Sequence, residues 1–186
     1  MAARGTLFLV VGPSVSGKDT LIDGARAALA DDTRFVFPRR VVTRPAVADA
    51  EIYETMTPEA FAAAEAAGAF ALSWKAHGLS YGIPRAIEAA LADGRHVVVN
   101  VSRAAIEGAR ERYRPTRIIE VWAPIEVLAK RLAARGRESA ADIAERLRRA
   151  EAVGVTGPDV TRIETTGAKA DSVRKFLAVL GAAKGD

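Results

Sequence analysis

The apolar positions of this chain follow two alternating rhythms. Four short runs are continuous and rich in β-branched residues: Leu7–Val11, His96–Val101, Arg117–Trp122 and Val160–Glu164. Runs of that length without polar alternation predict strands buried on both faces. Each is followed by a stretch with helical spacing, at 18–30, 103–112, 125–135 and 169–182. In the last of these, Val173, Phe176, Leu177 and Leu180 share one helical face. Strands that alternate with helices predict an α/β fold, a parallel sheet flanked by helices.

Residues 35–94 break the rhythm. They hold short β-like pieces at Val41–Thr43 and Phe70–Trp74, and a helix from Pro84 to about Ala92. Another helix opens at Thr57-Pro58-Glu59, with Thr57 as N-cap and proline in the first turn. The expectation is a single domain over 1–186, with a core of 1–34 and 95–186 and an insertion at 35–94 lying over the sheet edge. A helix at about 139–152, with Ser139 as N-cap, follows the arginine-rich "ARGRES".

Composition narrows the chemistry. The 186 residues are 49% hydrophobic and 27% charged, which describes a folded domain with a real core. With no cysteine, disulfides, thiolate metal sites and thiol catalysis are excluded. The two histidines form no H-E-x-x-H spacing. The segment "LFLVV" is too short for a secretory leader, and no apolar run reaches the ~18 residues of a membrane helix. The expected location is therefore cytoplasmic, without membrane association. The net charge of +4 comes mostly from arginines in 34–44 and 103–149. No isolated basic block or aromatic–basic pattern accompanies them, so they read as ligands for small phosphates rather than nucleic acid. Oligomeric state is left open.

The sharpest motif is Gly12-Pro13-Ser14-Val15-Ser16-Gly17-Lys18-Asp19-Thr20. It matches the phosphate-binding loop G-x-x-x-x-G-K-[ST] until its last position, where an aspartate replaces the hydroxyl that touches magnesium. It follows a predicted strand and opens a predicted helix, so its N–H groups and the helix N-terminus form an anion nest. Lys18 supplies a point charge for the outer phosphates of a bound nucleotide. Asp19 facing those phosphates requires a cation between them, and Mg²⁺ takes oxygen ligands. Thr20 points about 100° away from Asp19 on the helix and is no simple substitute.

Beyond the loop, the chain carries Val42-Thr43-Arg44-Pro45, then Trp74-Lys75-Ala76-His77-Gly78-Leu79-Ser80-Tyr81-Gly82-Ile83-Pro84, Val97-Val98-Val99-Asn100-Val101-Ser102-Arg103, and "RLAARGRESAADIAERLRRA" at 131–150. With these the chain resembles the guanylate kinase group of P-loop kinases over nearly its whole length. The tighter resemblance is to the ribose 1,5-bisphosphate kinases of phosphonate degradation. That resemblance implies transfer of the γ-phosphoryl of ATP to a phosphorylated sugar, giving 5-phosphoribosyl 1-diphosphate. It also implies a mobile lid at about 135–148 that carries Arg135 and Arg146 to the transferring group. Arg131 and Arg149 read equally well as solvated helix-face residues.

The departures from guanylate kinases are as informative. Those enzymes have an aspartate where this chain has Asn100 and a hydroxyl where it has Asp19, so Asp19 and Asn100 are the expected magnesium ligands with their charge exchanged. Leu72 and Ile83 occupy the positions that read guanine, which argues against GMP. Arg40, Arg44 and Tyr81, with Arg39 beside them, are the expected phosphate clamp of the acceptor. Lys75, His77 and Arg103 are further candidate contacts, His77 reading equally well as a structural hydrogen-bonder. Trp74 reads as core. The rival readings are a nucleoside monophosphate kinase with altered base choice, and a non-catalytic interaction module, which retention of Lys18, Arg135 and Arg146 disfavours.

Overall fold

The computed structural model describes residues 3–45, 53–136, 139–151 and 154–181. Five strands form one parallel sheet: β1 (Leu7–Val11), β2 (Phe35–Val36), β7 (His96–Asn100), β8 (Thr116–Trp122) and β9 (Val160–Glu164), in the order β2-β7-β1-β8-β9. The central place of β1 accounts for its composition: all five of its residues are fully buried. The edge strand β9 differs. Only Ile163 is buried there, while Thr161 and Arg162 are exposed, and a charged residue on an edge discourages further strand pairing.

By its contacts the chain forms two compact units, Met1–Leu9 with Asp31–Thr116 and Val10–Ala30 with Arg117–Asp186. The second unit holds α1 (Lys18–Ala28), α5 (Ile125–Arg135), α6 (Ala140–Glu151) and α7 (Lys169–Gly181). There α1 and α7 pack closely because Gly24 has no side chain; a Cβ would come within 2.7 Å of Val173. The first unit holds α2 (Pro58–Ala66), α3 (Ile87–Ala92), α4 (Ile106–Arg112) and a second sheet. That sheet is β4 (Tyr53–Thr55), β3 (Arg40–Val42), β6 (Leu79–Pro84) and β5 (Phe70–Ala76), in the order β4-β3-β6-β5.

Most predicted elements stand within a few residues, and the differences have local causes. The β-like piece at 70–74 runs on to Ala76 and turns at His77-Gly78 into β6, whose end at Pro84 pairs with Phe70. Pro84 therefore closes a strand, and α3 begins only at Ile87. The stretch at 103–112 opens as a 3₁₀ turn over Arg103–Ala105, with the Ser102 hydroxyl accepting from the Ala104 N–H at 3.4 Å, and becomes α4 only from Ile106. Phe35 and Val36 pair with His96 and Val97 and so belong to the parallel sheet.

Buried polar contacts pin the second sheet. The Tyr113 hydroxyl lies 2.9 Å from Glu88 Oε1 and 3.2 Å from the Ala71 carbonyl, to which Arg112 also donates at 2.9 Å. Ala71 sits at the bulge between Phe70 and Leu72, where a ladder partner is lost. Burial, then the hydrogen bond to Glu88, pushes the Tyr113 phenol up to about 12. Among the described residues no helix is long and apolar enough to cross a membrane.

Candidate active site

The glycine loop in the second unit has the shape its sequence predicts, plus a support that the sequence does not display. Gly12 has φ 148°, and a Cβ there would lie 2.1 Å from the Val121 carbonyl, so only glycine fits against β8. Gly17, at φ 99°, is the N-cap of α1 and has no side chain to cap it. An anion can take that role. Lys18 spans the loop, its Nζ donating to the carbonyls of Gly12 at 2.7 Å and Pro13 at 2.8 Å. Ser16 is fully buried, which leaves its backbone rather than its hydroxyl to serve a ligand. Ser14 is half-buried on the loop.

Val15 has φ 55°, a left-handed conformation that a β-branched residue adopts only under constraint, at a cost of about 1–3 kcal/mol. The constraint comes from α5 and from the turn after β9. Arg131 Nη1 donates to the Val15 carbonyl at 3.1 Å and to Thr165 Oγ1 at 3.0 Å, and its Nη2 donates to the Thr165 carbonyl. Thr165 Oγ1 in turn donates to the Ser16 carbonyl at 2.6 Å. Arg131 is thus neither a solvated helix-face residue nor one aimed only at ligand. With Thr165 it clips two consecutive carbonyls of the loop.

A cleft of about 440 Å³ opens beside this loop, lined by Lys18, Asp19, Thr20, Arg135, Thr165 and Lys169 among others. The size suits a nucleotide. Asp19 and Thr20 reach the same cleft despite their angular separation on α1. Among the described residues no cluster of three or more His, Asp or Glu side chains could hold a metal. One carboxylate and one hydroxyl beside a phosphate cradle nevertheless fit Mg²⁺, which keeps much of its water and takes phosphate oxygens as ligands.

Arg135 ends α5, exposed and on the cleft wall. Arg146 falls on α6, but its side chain, like that of Arg149, lies outside what is described, as does Arg137. The start of α6 is a reciprocal cap: the Asp142 N–H donates to Ser139 Oγ at 3.2 Å and the Ser139 N–H to Asp142 Oδ2 at 3.3 Å. Beyond α6 the chain is anchored by Glu120, 1% exposed on β8. Its Oε1 accepts from the Val155 N–H at 3.1 Å, and its Oε2 pairs with Arg162 Nε at 2.7 Å. The sequence did hold a signal for this anchor, a lone carboxylate inside the apolar run "RIIEVW". For Thr165 and Lys169 it held none beyond their place after the last strand.

In the first unit, β3, β6 and β5 set the predicted acceptor residues by register. Val42 pairs with Tyr81, and Tyr81 with Trp74. Directly paired residues share a face, and so do residues two apart on a strand. Arg40, Tyr81, Trp74, Leu72 and Ile83 therefore lie on one face, while Lys75 and its partner Ser80 lie on the other. The Arg40 guanidinium stands over the Tyr81 ring at 5.5 Å, and the Arg44 guanidinium over the Tyr53 ring at 5.7 Å. Leu72 and Ile83 are direct cross-strand partners, 4% and 0% exposed.

The remaining candidates are more dispersed. Arg39 is exposed just before β3. His77, at φ 52°, and Gly78, at φ 74°, form the two-residue turn of the β5–β6 hairpin. Positive φ at both positions is the hairpin-matching turn, so His77 has a structural task at an exposed tip. Asn100 ends β7 half-buried, and Arg103 is half-buried in the 3₁₀ turn.

No family model matches the chain. Among curated proteins it is 52% identical, over 96% of its length and 98% of the relative's, to a ribose 1,5-bisphosphate phosphokinase PhnN of Methylobacterium radiotolerans. It is 48% identical, over 95% of its length and 88% of the relative's, to a protein of the same name from Rhodopseudomonas palustris. A bifunctional ribose 1,5-bisphosphokinase-thymidine phosphorylase of Azorhizobium caulinodans is 44% identical over 95% of this chain but only 25% of its own length. Among solved structures, a guanylate kinase from Anaplasma phagocytophilum superposes with a TM-score of 0.69 at 17% identity, covering 100% of this chain and 89% of its own. At that identity the likeness speaks for the fold alone, the α/β fold of a P-loop kinase.

Proposed function

The chain belongs to the ribose 1,5-bisphosphate phosphokinase family, and on that premise we propose that it transfers the γ-phosphoryl group of ATP to the 1-phosphate of ribose 1,5-bisphosphate. The products are 5-phosphoribosyl 1-diphosphate and ADP, and the setting that fits the family is phosphonate degradation. An oxygen of the acceptor's 1-phosphate attacks the γ-phosphorus, and the bond from that phosphorus to the bridging oxygen of ADP breaks. A phosphate monoester has its second pKa near about 6, so the attacking oxygen is already anionic at neutral pH. No side chain has to remove a proton. The work of the protein is alignment and neutralisation of charge.

The loop N–H groups and Lys18 hold the nucleotide's outer phosphates, and the Arg131–Thr165 clip fixes the loop in the required conformation. Arg135 on the cleft wall and Arg146 on α6 meet the charge that develops on the transferring group. Asp19 on the cleft wall would hold the nucleotide's magnesium, directly or through water, its carboxylate supplying the formal charge from the loop; Asn100, the other expected ligand, belongs to the first unit. When bound, such an ion would supply neutralisation of the nucleotide's phosphate charge. Arg40, Arg44 and Tyr81 hold the acceptor.

The observation that carries the choice of acceptor is the buried pair Leu72–Ile83. Two buried aliphatic side chains paired directly across the hairpin offer no hydrogen bond to a purine edge. Each unpaired polar group of a base against them costs about 1–3 kcal/mol. A sugar bisphosphate has no such edge and uses the arginines that remain. A ³¹P NMR time course with ATP, Mg²⁺ and ribose 1,5-bisphosphate tests the reading. A new diphosphate pair appearing as the 1-phosphate signal falls is expected. An unchanged 1-phosphate signal in a preparation that phosphorylates GMP would overturn it.

A further inference from the structure

We infer that Trp74 is a positioning residue of the acceptor clamp, which it serves by holding Tyr81 and, through it, Arg40. This inference rests on the acceptor reading above and goes beyond it, because by sequence Trp74 is an ordinary core residue. The rings of Trp74 and Tyr81 are 5.4 Å apart between centroids and within 5° of parallel. Each residue is only 8% exposed. The Arg40 guanidinium caps the other member of the pair, 5.5 Å from the Tyr81 centroid. Three side chains from three neighbouring strands, β5, β6 and β3, thus form one continuous stack of two rings and a cation.

The register makes this stack a mechanical unit. Trp74 and Tyr81 are direct ladder partners, and Tyr81 is the partner of Val42, two residues from Arg40 on the same face. A tyrosine beside an aliphatic neighbour can tilt within its rotamer well. One held flat against an indole presents a fixed plane. A guanidinium lying on that plane keeps its five donors in one orientation, so less rotamer freedom remains to be lost when a phosphate binds. Trp74 also occupies the sheet face next to Leu72 and Ile83, so the apolar floor continues to the foot of the clamp. Trp74 touches no phosphate in this account; it acts through Tyr81.

The test compares Trp74→Leu with Trp74→Phe in steady-state phosphotransfer from ATP to ribose 1,5-bisphosphate. The stack account expects Trp74→Leu to raise KM for the acceptor about five- to tenfold, the size of one lost cation–π arrangement. KM for ATP should stay within twofold, and Trp74→Phe should recover most of the loss. A general packing defect would instead lower kcat or raise both KM values together, in Phe as in Leu, and that result overturns the inference.

Should Trp74→Leu fail to fold, the native ring serves as the probe. In a Trp122→Phe protein, Trp74 is the sole indole, and its fluorescence should shift on titration with ribose 1,5-bisphosphate in the absence of ATP. Saturable acceptor binding, seen by calorimetry, with unchanged Trp74 emission would contradict the inference. Failure of the wild-type protein to phosphorylate ribose 1,5-bisphosphate would overturn the acceptor reading itself, a result distinct from either.

Discussion

On the proposed reading, the two units would hold their ligands by different means. In the second, the phosphate cradle is nearly all backbone: glycine-permitted turns, helix N–H groups, and carbonyls clipped by Arg131 and Thr165. In the first, the proposed acceptor surface is all side chain: guanidinium groups laid on rings across adjacent strands. A backbone cradle can read only what every nucleotide shares, its phosphates. A side-chain surface can be re-specified by a few substitutions, and the proposed choice of acceptor rests on Leu72 and Ile83. Substitutions in the cradle should therefore abolish turnover whatever the acceptor, while substitutions on the sheet should change which acceptor is used and how tightly.

The largest effect expected is at Lys18. Lys18→Met removes one of the cleft's positive charges and the two bonds that span the loop, so kcat/KM should fall by about 10³-fold or more with every acceptor. An unchanged melting temperature would assign that loss to chemistry rather than folding. Next is Arg40→Ala, which should raise KM for ribose 1,5-bisphosphate by about 10–100-fold, the size of a charge-assisted contact, and leave KM for ATP unmoved. If both KM values rose together, the division of labour between the units would be wrong.

Asp19 and Asn100 sharpen the comparison because they belong to different units. If the expected exchange of charge between these two positions holds, Asp19→Ser and Asn100→Asp each lower kcat by about tenfold or more, whereas the double variant recovers much of the loss. Losses that simply add would refute the exchange of charge. A smaller effect is expected for Thr165→Val, which keeps the volume but removes the bond to the Ser16 carbonyl and an acceptor for Arg131. KM for ATP should rise about three- to tenfold, with the acceptor KM unaffected.

The smallest effect concerns stability. The Tyr113 phenol is raised to about 12 in the folded chain, first by burial and then by Glu88, against an ordinary value of about 10. Its contribution is complete below pH ~10 and is lost as pH rises through the folded value, because the unfolded chain releases the proton first. Chemical denaturation of wild type against Tyr113→Phe between pH 9 and about 12 should show a steeper alkaline loss in the wild type. Parallel curves would remove Tyr113 from the account.

What could be read in advance followed the same division. The cradle lies in nine consecutive residues, so its loop, lysine and helix start were legible, and β1 declared its burial by five apolar residues in a row. The clip was not legible, because Arg131 and Thr165 are more than a hundred positions from the carbonyls they hold. On the sheet, Arg40, Tyr81 and Trp74 could be singled out as residues, but their stacking depends on the register of three strands, which no local pattern fixes. For the same reason no local pattern showed that Lys75, a further candidate contact, lies on the face opposite Tyr81. Pro84 read as a helix start because proline favours both first helical turns and strand ends, and pairing with Phe70 decided between them. The turn at His77 was legible in the Gly78 beside it, a two-residue turn signal between strands.

The most direct test of the central claim is a competition in one vessel: limiting ATP with Mg²⁺, and equal concentrations of ribose 1,5-bisphosphate, GMP and AMP. The account predicts that nearly all the transferred phosphoryl appears in 5-phosphoribosyl 1-diphosphate, with GDP and ADP above the consumed ATP at background. Preferential formation of GDP would contradict it, and would mean that the buried pair Leu72–Ile83 does not exclude a base.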